Sequence, residues 1–160
     1  MKLYRGLTLT ATILTIFAAG MGSYVRGMNA GLACPDWPLC YGQIVPQVMD
    51  FWIFLEWFHR MVVATLGLLV LGFTLLAWVR RLPGRWLALT IVGLLLAQAV
   101  LGGLTVLMLL NVFIVAFHQA FALVFFGALV TLTVLTFVWS SARPERFAPD
   151  SAAPRAHAHG

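Results

Sequence analysis

Four long apolar segments constrain this chain more than any other feature of its sequence. They cover residues 7–25, 51–79, 86–110 and 112–139. Each has about the 20 residues, or more, that a helix needs to cross roughly 30 Å of hydrocarbon. A bilayer offers no partners to backbone polar groups, and the segments are too long and too uniformly apolar for barrel strands. The sequence therefore predicts an all-α fold, an integral membrane four-helix bundle.

The composition agrees with a membrane protein and excludes several other classes. Hydrophobic residues make up 62% of the 160 residues and charged residues 9%, whereas soluble domains are about half apolar and a quarter charged. A soluble enzyme, a disordered chain and a nucleic-acid-binding module are therefore excluded. The net charge of +5 is interpreted as a signal of topology.

Basic residues cluster on one side of the four segments. They are Lys2, Arg5, Arg80, Arg81, Arg85, Arg143, Arg146 and Arg155, whereas Arg26 lies in an opposite loop. Because cytoplasmic loops carry an excess of Lys and Arg, both termini are predicted to be cytoplasmic. The chain is expected to be a multi-pass protein of the cell membrane.

Residues 1–142 are predicted to form the transmembrane domain, and residues 143–160 a mobile cytoplasmic tail rich in Pro, Ala and Arg. Residues 1–22 also have the basic start, apolar run and small residues of a cleaved signal peptide. The apolar run continues to Val25, which favours a first helix that completes an even bundle.

Two histidines inside apolar segments are the main candidates for chemistry, since ionisable residues within a membrane are functional hypotheses by default. His59 lies 20 residues before Val79, and His118 lies 21 residues before Trp139. At 1.5 Å per residue these spacings are about 30 and 32 Å. The second and fourth segments run in the same direction, so the two imidazoles lie at one height. This arrangement suits axial ligation of a haem iron, and hydrogen bonding between helices is the alternative.

Three charged residues accompany the histidines at this end of the bundle. Glu56 precedes His59 by three residues and shares its helix face. It is a candidate base, or it orients His59, pairs with Arg60, or is a carboxylate at the interface with water. Arg26 lies at the same level and is a candidate contact for haem propionates, and Arg60 is a further candidate for such contacts.

Small and amide side chains of the third and fourth segments reach the histidine level. Gly102, Gly103 and Thr105 allow close approach of a flat ring or of another helix. Gln98 lies deeper and is predicted to bond between helices, whereas the role of Gln119 stays open.

A cysteine pair, Cys34 and Cys40, lies in the loop between the first two segments, on the side where disulfides persist. A bridge closing so short a ring stabilises by only about 2 kcal/mol. A structural bridge and thiol–disulfide chemistry therefore both stay open. Pro35, Trp37 and Pro38 stiffen this loop and make it a candidate lid over the bundle.

Four sequence stretches together resemble the haem A synthase family. They are GLACPDWPLCYGQ (31–43), EWFHR (56–60), QAVLGGLTV (98–106) and VAFHQ (115–119). The resemblance implies oxidation of the C8 methyl group of haem O to a formyl group, which gives haem A for terminal oxidases. It also implies that His59 and His118 ligate haem iron, that Glu56 is catalytic, and that Cys34 and Cys40 form a disulfide.

Typical members of that family have eight helices in two similar halves, and this chain resembles the N-terminal half. The resemblance therefore implies a half-size member acting as a homo-oligomer, with haem b or haem O bound. Haem O synthase and oxidase-assembly proteins are the implied partners, besides membrane lipid, and the haem site is expected near the outer face. A b-type cytochrome or haem carrier in oxidase assembly, and a membrane thiol–disulfide oxidoreductase, are the alternatives.

Overall fold

A computed structural model describes residues 1–141, and these residues form four α-helices. The helices are α1 (Lys2–Gly27), α2 (Phe51–Val79), α3 (Arg85–Leu107) and α4 (Val112–Ser141). All four are long and apolar enough to cross a membrane. The all-α membrane bundle predicted from the sequence is confirmed in this part of the chain. The tail 143–160, with His157 and His159, lies outside the described residues.

The ends of α2 agree with the sequence prediction. Asp50 precedes the helix in an extended conformation, and its carboxylate accepts a hydrogen bond from the Ile53 N–H at 2.8 Å. This side chain satisfies one of the N–H groups that a helix start leaves without a partner. The cap therefore fixes the first residue of α2 at Phe51.

Helix α1 starts five residues earlier than the apolar pattern indicated. Tyr4 is fully buried and packs edge-on against Phe73 at 6.3 Å between ring centroids. The Arg5 guanidinium lies 4.8 Å from the centroid of the Phe137 ring. These contacts keep the basic first turn helical. The sequence prediction missed this turn because it followed the apolar run, which begins only after Lys2 and Arg5.

Helix α3 ends three residues earlier than predicted, and the expectation of a helix to residue 110 was wrong. Leu109 and Leu110 adopt left-handed backbone angles, and the Leu110 N–H donates to the Thr105 carbonyl at 2.7 Å. The Asn111 side chain then accepts from the Phe113 N–H at 3.0 Å and starts α4. The apolar pattern hides this turn, because leucine seldom adopts positive φ.

Each helix packs on two neighbours, α1 on α2 and α4, and α3 likewise on α2 and α4. Helices α2 and α4 therefore lie on a diagonal of the bundle. One end holds the N-terminus and the α2–α3 connection, and we call it the terminal end. The other holds the α1–α2 loop and the α3–α4 turn, and we call it the loop end. The placement of the termini in the cytoplasm stays a prediction.

The apolar core fills the terminal end. Its buried members are Tyr4, Ala11, Leu66, Val70, Phe73, Ala77, Ala88, Ile91, Leu95, Phe125, Leu129 and Leu132. A hydroxyl contact crosses it, since the Thr12 and Thr133 side chains lie 2.9 Å apart and join α1 to α4. The four helices are thus closely packed at the terminal end, and the cavity described below lies at the loop end.

Candidate haem-binding cavity

A cavity of about 430 Å³ occupies the loop end, between the α1–α2 pair and the α3–α4 pair. This volume falls in the range of small-molecule sites, about 300–1,000 Å³. Leu66, Leu95 and Phe125 belong both to its wall and to the apolar core, so they form its floor. We call this cavity the slot, and its floor lies toward the terminal end.

His59 and His118 both line this slot, one from each of the two diagonal helices. The Nδ1 atom of each ring is buried and has no hydrogen-bond partner among the described residues. The prediction that the two rings lie at one level is consistent with their place in a single cavity. Each imidazole therefore keeps one ring nitrogen that the described residues leave without a hydrogen bond.

Each imidazole lies against a glycine of the preceding helix. A Cβ atom added to Gly22 of α1 would lie 3.1 Å from Cε1 of His59, and one added to Gly102 of α3 would lie 3.2 Å from Cε1 of His118. Sequence reasoning identified Gly102 and missed Gly22. The glycines leave the two rings room at the wall of the slot.

Gln98 holds the backbone beside His118. Its Nε2 donates to the His118 carbonyl at 3.1 Å, from α3 to α4. The prediction that this amide bonds between helices is confirmed. Gln98 therefore fixes the position of the α4 backbone that carries the second imidazole.

Glu56 is 6% exposed and lines the slot near His59. Its Oε1 accepts a hydrogen bond from Nε of Arg60 at 3.0 Å. This is the one ion pair among residues 1–141. Oε2 has no protein donor among these residues. One oxygen is thus held in place, and the other is left for a group bound in the slot.

Arg60 ties this carboxylate to the α1–α2 loop. Its Nη1 donates to the carbonyl of Asp36 at 2.6 Å and to the carbonyl of Leu39, and its Nη2 donates to the carbonyl of Cys34 at 3.1 Å. The Arg60 guanidinium is therefore occupied by Glu56 and by the loop, and the propionate contacts considered for Arg26 and Arg60 stay predictions.

The loop is further ordered by a disulfide and by Asp36. Cys34 and Cys40 are bridged and buried. The Asp36 carboxylate accepts from the N–H groups of Tyr41 and Gly42, each at 2.7 Å. Because the Gly42 N–H in particular stabilises the charged form, the pKa of Asp36 lies below its usual value.

Trp37 and Pro38 of this loop line the slot. A Cβ atom at Gly103 would lie 2.8 Å from the Trp37 ring, so the indole rests directly on the α3 backbone. The Trp57 indole N–H meanwhile donates to the Ile44 carbonyl at 2.7 Å and anchors the distal part of the loop on α2. The predicted lid is in this position, and Gly103 accommodates it.

Arg26 and Gln119 line the slot, and both are exposed. Arg26 has no carboxylate partner within residues 1–141. The same residues contain no group of three or more His, Cys, Asp or Glu side chains placed to hold a metal ion. Two histidines alone suit a haem iron, whereas protein zinc sites take more ligands.

Comparison with known proteins relates the chain to one family along most of its length. A family model described as cytochrome oxidase assembly protein, COX15-CtaA, matches residues 5–53 and 47–158. The chain is 33% identical over 140 residues to a haem A synthase of Bacillus licheniformis, and 34% identical over 157 residues to that of Shewanella oneidensis. These alignments cover 85% and 88% of this chain.

The same alignments cover 46% and 45% of the two relatives. The chain thus spans about half the length of the curated relatives it matches. The family resemblance drawn from the cysteine loop and the histidine segments is confirmed.

Proposed function

Because this chain belongs to the COX15-CtaA family of cytochrome oxidase assembly proteins, we propose that it binds haem O in the slot and oxidises its C8 methyl group to the formyl group of haem A. The observation that carries the proposal is the convergence of His59, His118 and Glu56 on one cavity between two helix pairs. The matched relatives are haem A synthases, which supports the proposal.

The residues of the slot fit a haem. His59 and His118 on the diagonal helices would hold the haem iron, and their Nδ1 atoms lack partners among the described residues. Gly22 and Gly102 lie against Cε1 of the two rings and leave space that a side chain would fill. A bound haem supplies the redox chemistry of its iron, which no side chain of the slot offers. The slot is proposed to hold haem O as substrate, and haem b is the other haem predicted for this chain.

Arg26 is proposed to hold the haem carboxylates. Its guanidinium is exposed at the slot and has no carboxylate partner in residues 1–141. Arg–carboxylate pairs are often bidentate and fix orientation as well as position. The pairing would therefore fix the orientation of a bound haem in the slot.

Glu56 is proposed to act on the reacting methyl carbon. Conversion of a methyl to a formyl group takes up an oxygen atom, from water, and releases electrons and protons in equal number. The electrons would leave through the haem iron to an external electron acceptor, and a carboxylate in the slot would accept the protons one at a time through Oε2. Arg60 holds Oε1 and so limits rotation of the carboxylate. In this low-dielectric environment the same negative charge also stabilises positive charge that develops on the carbon.

The disulfide loop is proposed to exclude water from the slot. Trp37 lies on Gly103, and three loop carbonyls accept from Arg60. Closure prevents side reactions of a partly oxidised substrate. The loop is thereby assigned a structural role, with Cys34 and Cys40 as its bridge.

The proposal is tested by identifying the haems that the protein binds and makes. The chain is produced in membranes that contain haem O, purified, and its haems are extracted and separated. Haem A in the extract supports the synthase, haem b alone indicates a cytochrome or carrier, and the absence of haem indicates a thiol–disulfide enzyme. The homo-oligomer expected from the sequence stays a prediction, and native mass spectrometry of the same sample measures it.

A further inference from the structure

The two side edges of the slot differ in chemistry. The Thr12–Thr133 contact shows which faces of α1 and α4 meet. Arg26 follows Thr12 by 14 residues, and Gln119 precedes Thr133 by 14, so each lies close to the same face as its threonine. The edge between α1 and α4 therefore carries Arg26 and Gln119 toward the loop end, with Ala19 and Ala122 lining the slot nearer its floor.

The edge between α2 and α3 is apolar. Here a Cβ atom at Gly67 would lie 3.9 Å from Cδ2 of Leu95, which shows that these helices touch at the floor of the slot. Toward the loop end, Leu96 lines the slot while 61% of its surface is exposed, and Ala64 both lines the slot and is exposed. A residue that meets both the cavity and the outside lies on a rim.

We call the opening bounded by Ala64, Leu96 and Ala99 the α2–α3 window. Gly103 follows Leu96 by seven residues and so lies on nearly the same face of α3. Trp37 rests on Gly103 and therefore covers the loop end of the window. The window opens sideways, at a depth where α2 and α3 are surrounded by hydrocarbon if they span a bilayer.

We propose that the α2–α3 window receives the long hydrocarbon tail of an isoprenoid-bearing haem, an inference that rests on the proposed function. With its carboxylates toward Arg26 and Gln119, a porphyrin presents its opposite, apolar edge to the window. A tail that leaves through the window passes from an apolar cavity into lipid and exposes no hydrocarbon to water. The window thus distinguishes haem O from haem b, which lacks the tail.

The test fills the window and compares the two haems. Leu96→Trp places an indole at the rim, and Leu89→Trp, one heptad nearer the terminal end, is the matched control. Leu89 is also exposed, at 45%, and does not line the slot. Affinities of haem O and haem b are measured by titration of the purified, lipid-reconstituted proteins.

We expect Leu96→Trp to weaken haem O binding about tenfold, equivalent to about 1.4 kcal/mol, and to leave haem b binding unchanged. Leu89→Trp leaves both affinities unchanged. Retained haem b binding shows that the variant is folded, and Ala64→Leu repeats the test from α2. Equal effects of Leu96→Trp on both haems, or no effect on either, would overturn the proposal. A wild-type protein that binds neither haem would instead refute the proposed function.

Discussion

Gly22 of α1 lies directly against the imidazole of His59, so close that a Cβ atom there would be 3.1 Å from Cε1 of the ring. Such a contact is tighter than ordinary packing, and either the ring or the helix must move to relieve it. The position of this candidate ligand on α2 therefore depends on the absence of a side chain on α1. Gly102 and His118 repeat the relationship on the other side of the slot.

Gly22→Ala is expected to displace the His59 ring and to weaken haem binding about tenfold, since overpacking a tight site costs about 1–3 kcal/mol. Optical and electron paramagnetic resonance spectra of the bound haem report the changed ligand geometry. Gly20→Ala is the matched control, because nothing lies within 4 Å of a Cβ atom there. Both variants gain the same helix propensity, so identical spectra for the two would show that Gly22 has no effect on the ligand.

Removal of either imidazole is expected to remove or severely perturb the bound haem. His59→Ala and His118→Ala each delete one of the two rings that line the slot, and the remaining ring would be the only imidazole left to hold the iron. Haem content and the reduced optical spectrum measure the change. An unchanged spectrum in both variants would end the assignment of these histidines as ligands.

Glu56→Gln is expected to bind haem and to make little or no haem A. Glutamine keeps the size of the side chain and its hydrogen bonding but accepts no proton at neutral pH. Extraction of haems after supply of haem O measures conversion, and the optical spectrum verifies binding. Near-normal conversion would reduce Glu56 to a structural role and favour the cytochrome or carrier.

Arg60→Lys is expected to keep the charge beside Glu56 and to release the loop. A lysine ammonium is a point charge and does not reproduce the planar fork that reaches Glu56 and three carbonyls at once. Faster hydrogen exchange at residues 34–42 and faster proteolysis of the loop measure the release. Unchanged protection of the loop would show that its disulfide and Asp36 suffice to order it.

Acidification is expected to loosen the same loop. The pKa of Asp36 is lowered in the folded protein, chiefly by the Gly42 N–H, so its contribution to stability is complete above the unfolded pKa of about 3.9. That contribution is lost as the pH falls through the lower, folded pKa. Hydrogen exchange of the Tyr41 and Gly42 amides across this pH range measures the effect. In Asp36→Asn the pH dependence of this exchange should disappear. If it persists, a group other than Asp36 causes it.

The apolar segments and the rise of the α-helix determine much of this protein directly. Four spans follow from segment length, and the apolar run 51–79 agrees with the bounds of α2, whose start the structure shows to be capped by Asp50. Helical rise alone placed His59 and His118 at similar heights, and both line the same slot. The family resemblance depended on short motifs that are likewise local in sequence.

Only the tertiary structure determined which residues of different helices, and of the loop, contact one another. Sequence reasoning did not identify Gly22 as the neighbour of His59, assign the Arg60 donors to the loop carbonyls, or place Trp37 on Gly103. In a soluble helix, the alternation of polar and apolar faces would indicate which side packs inward. Here lipid-facing and core-facing positions are both apolar, so that signal is weak. Only contacts between residues distant in the chain, at glycines and buried polar groups, determine how the helices face one another.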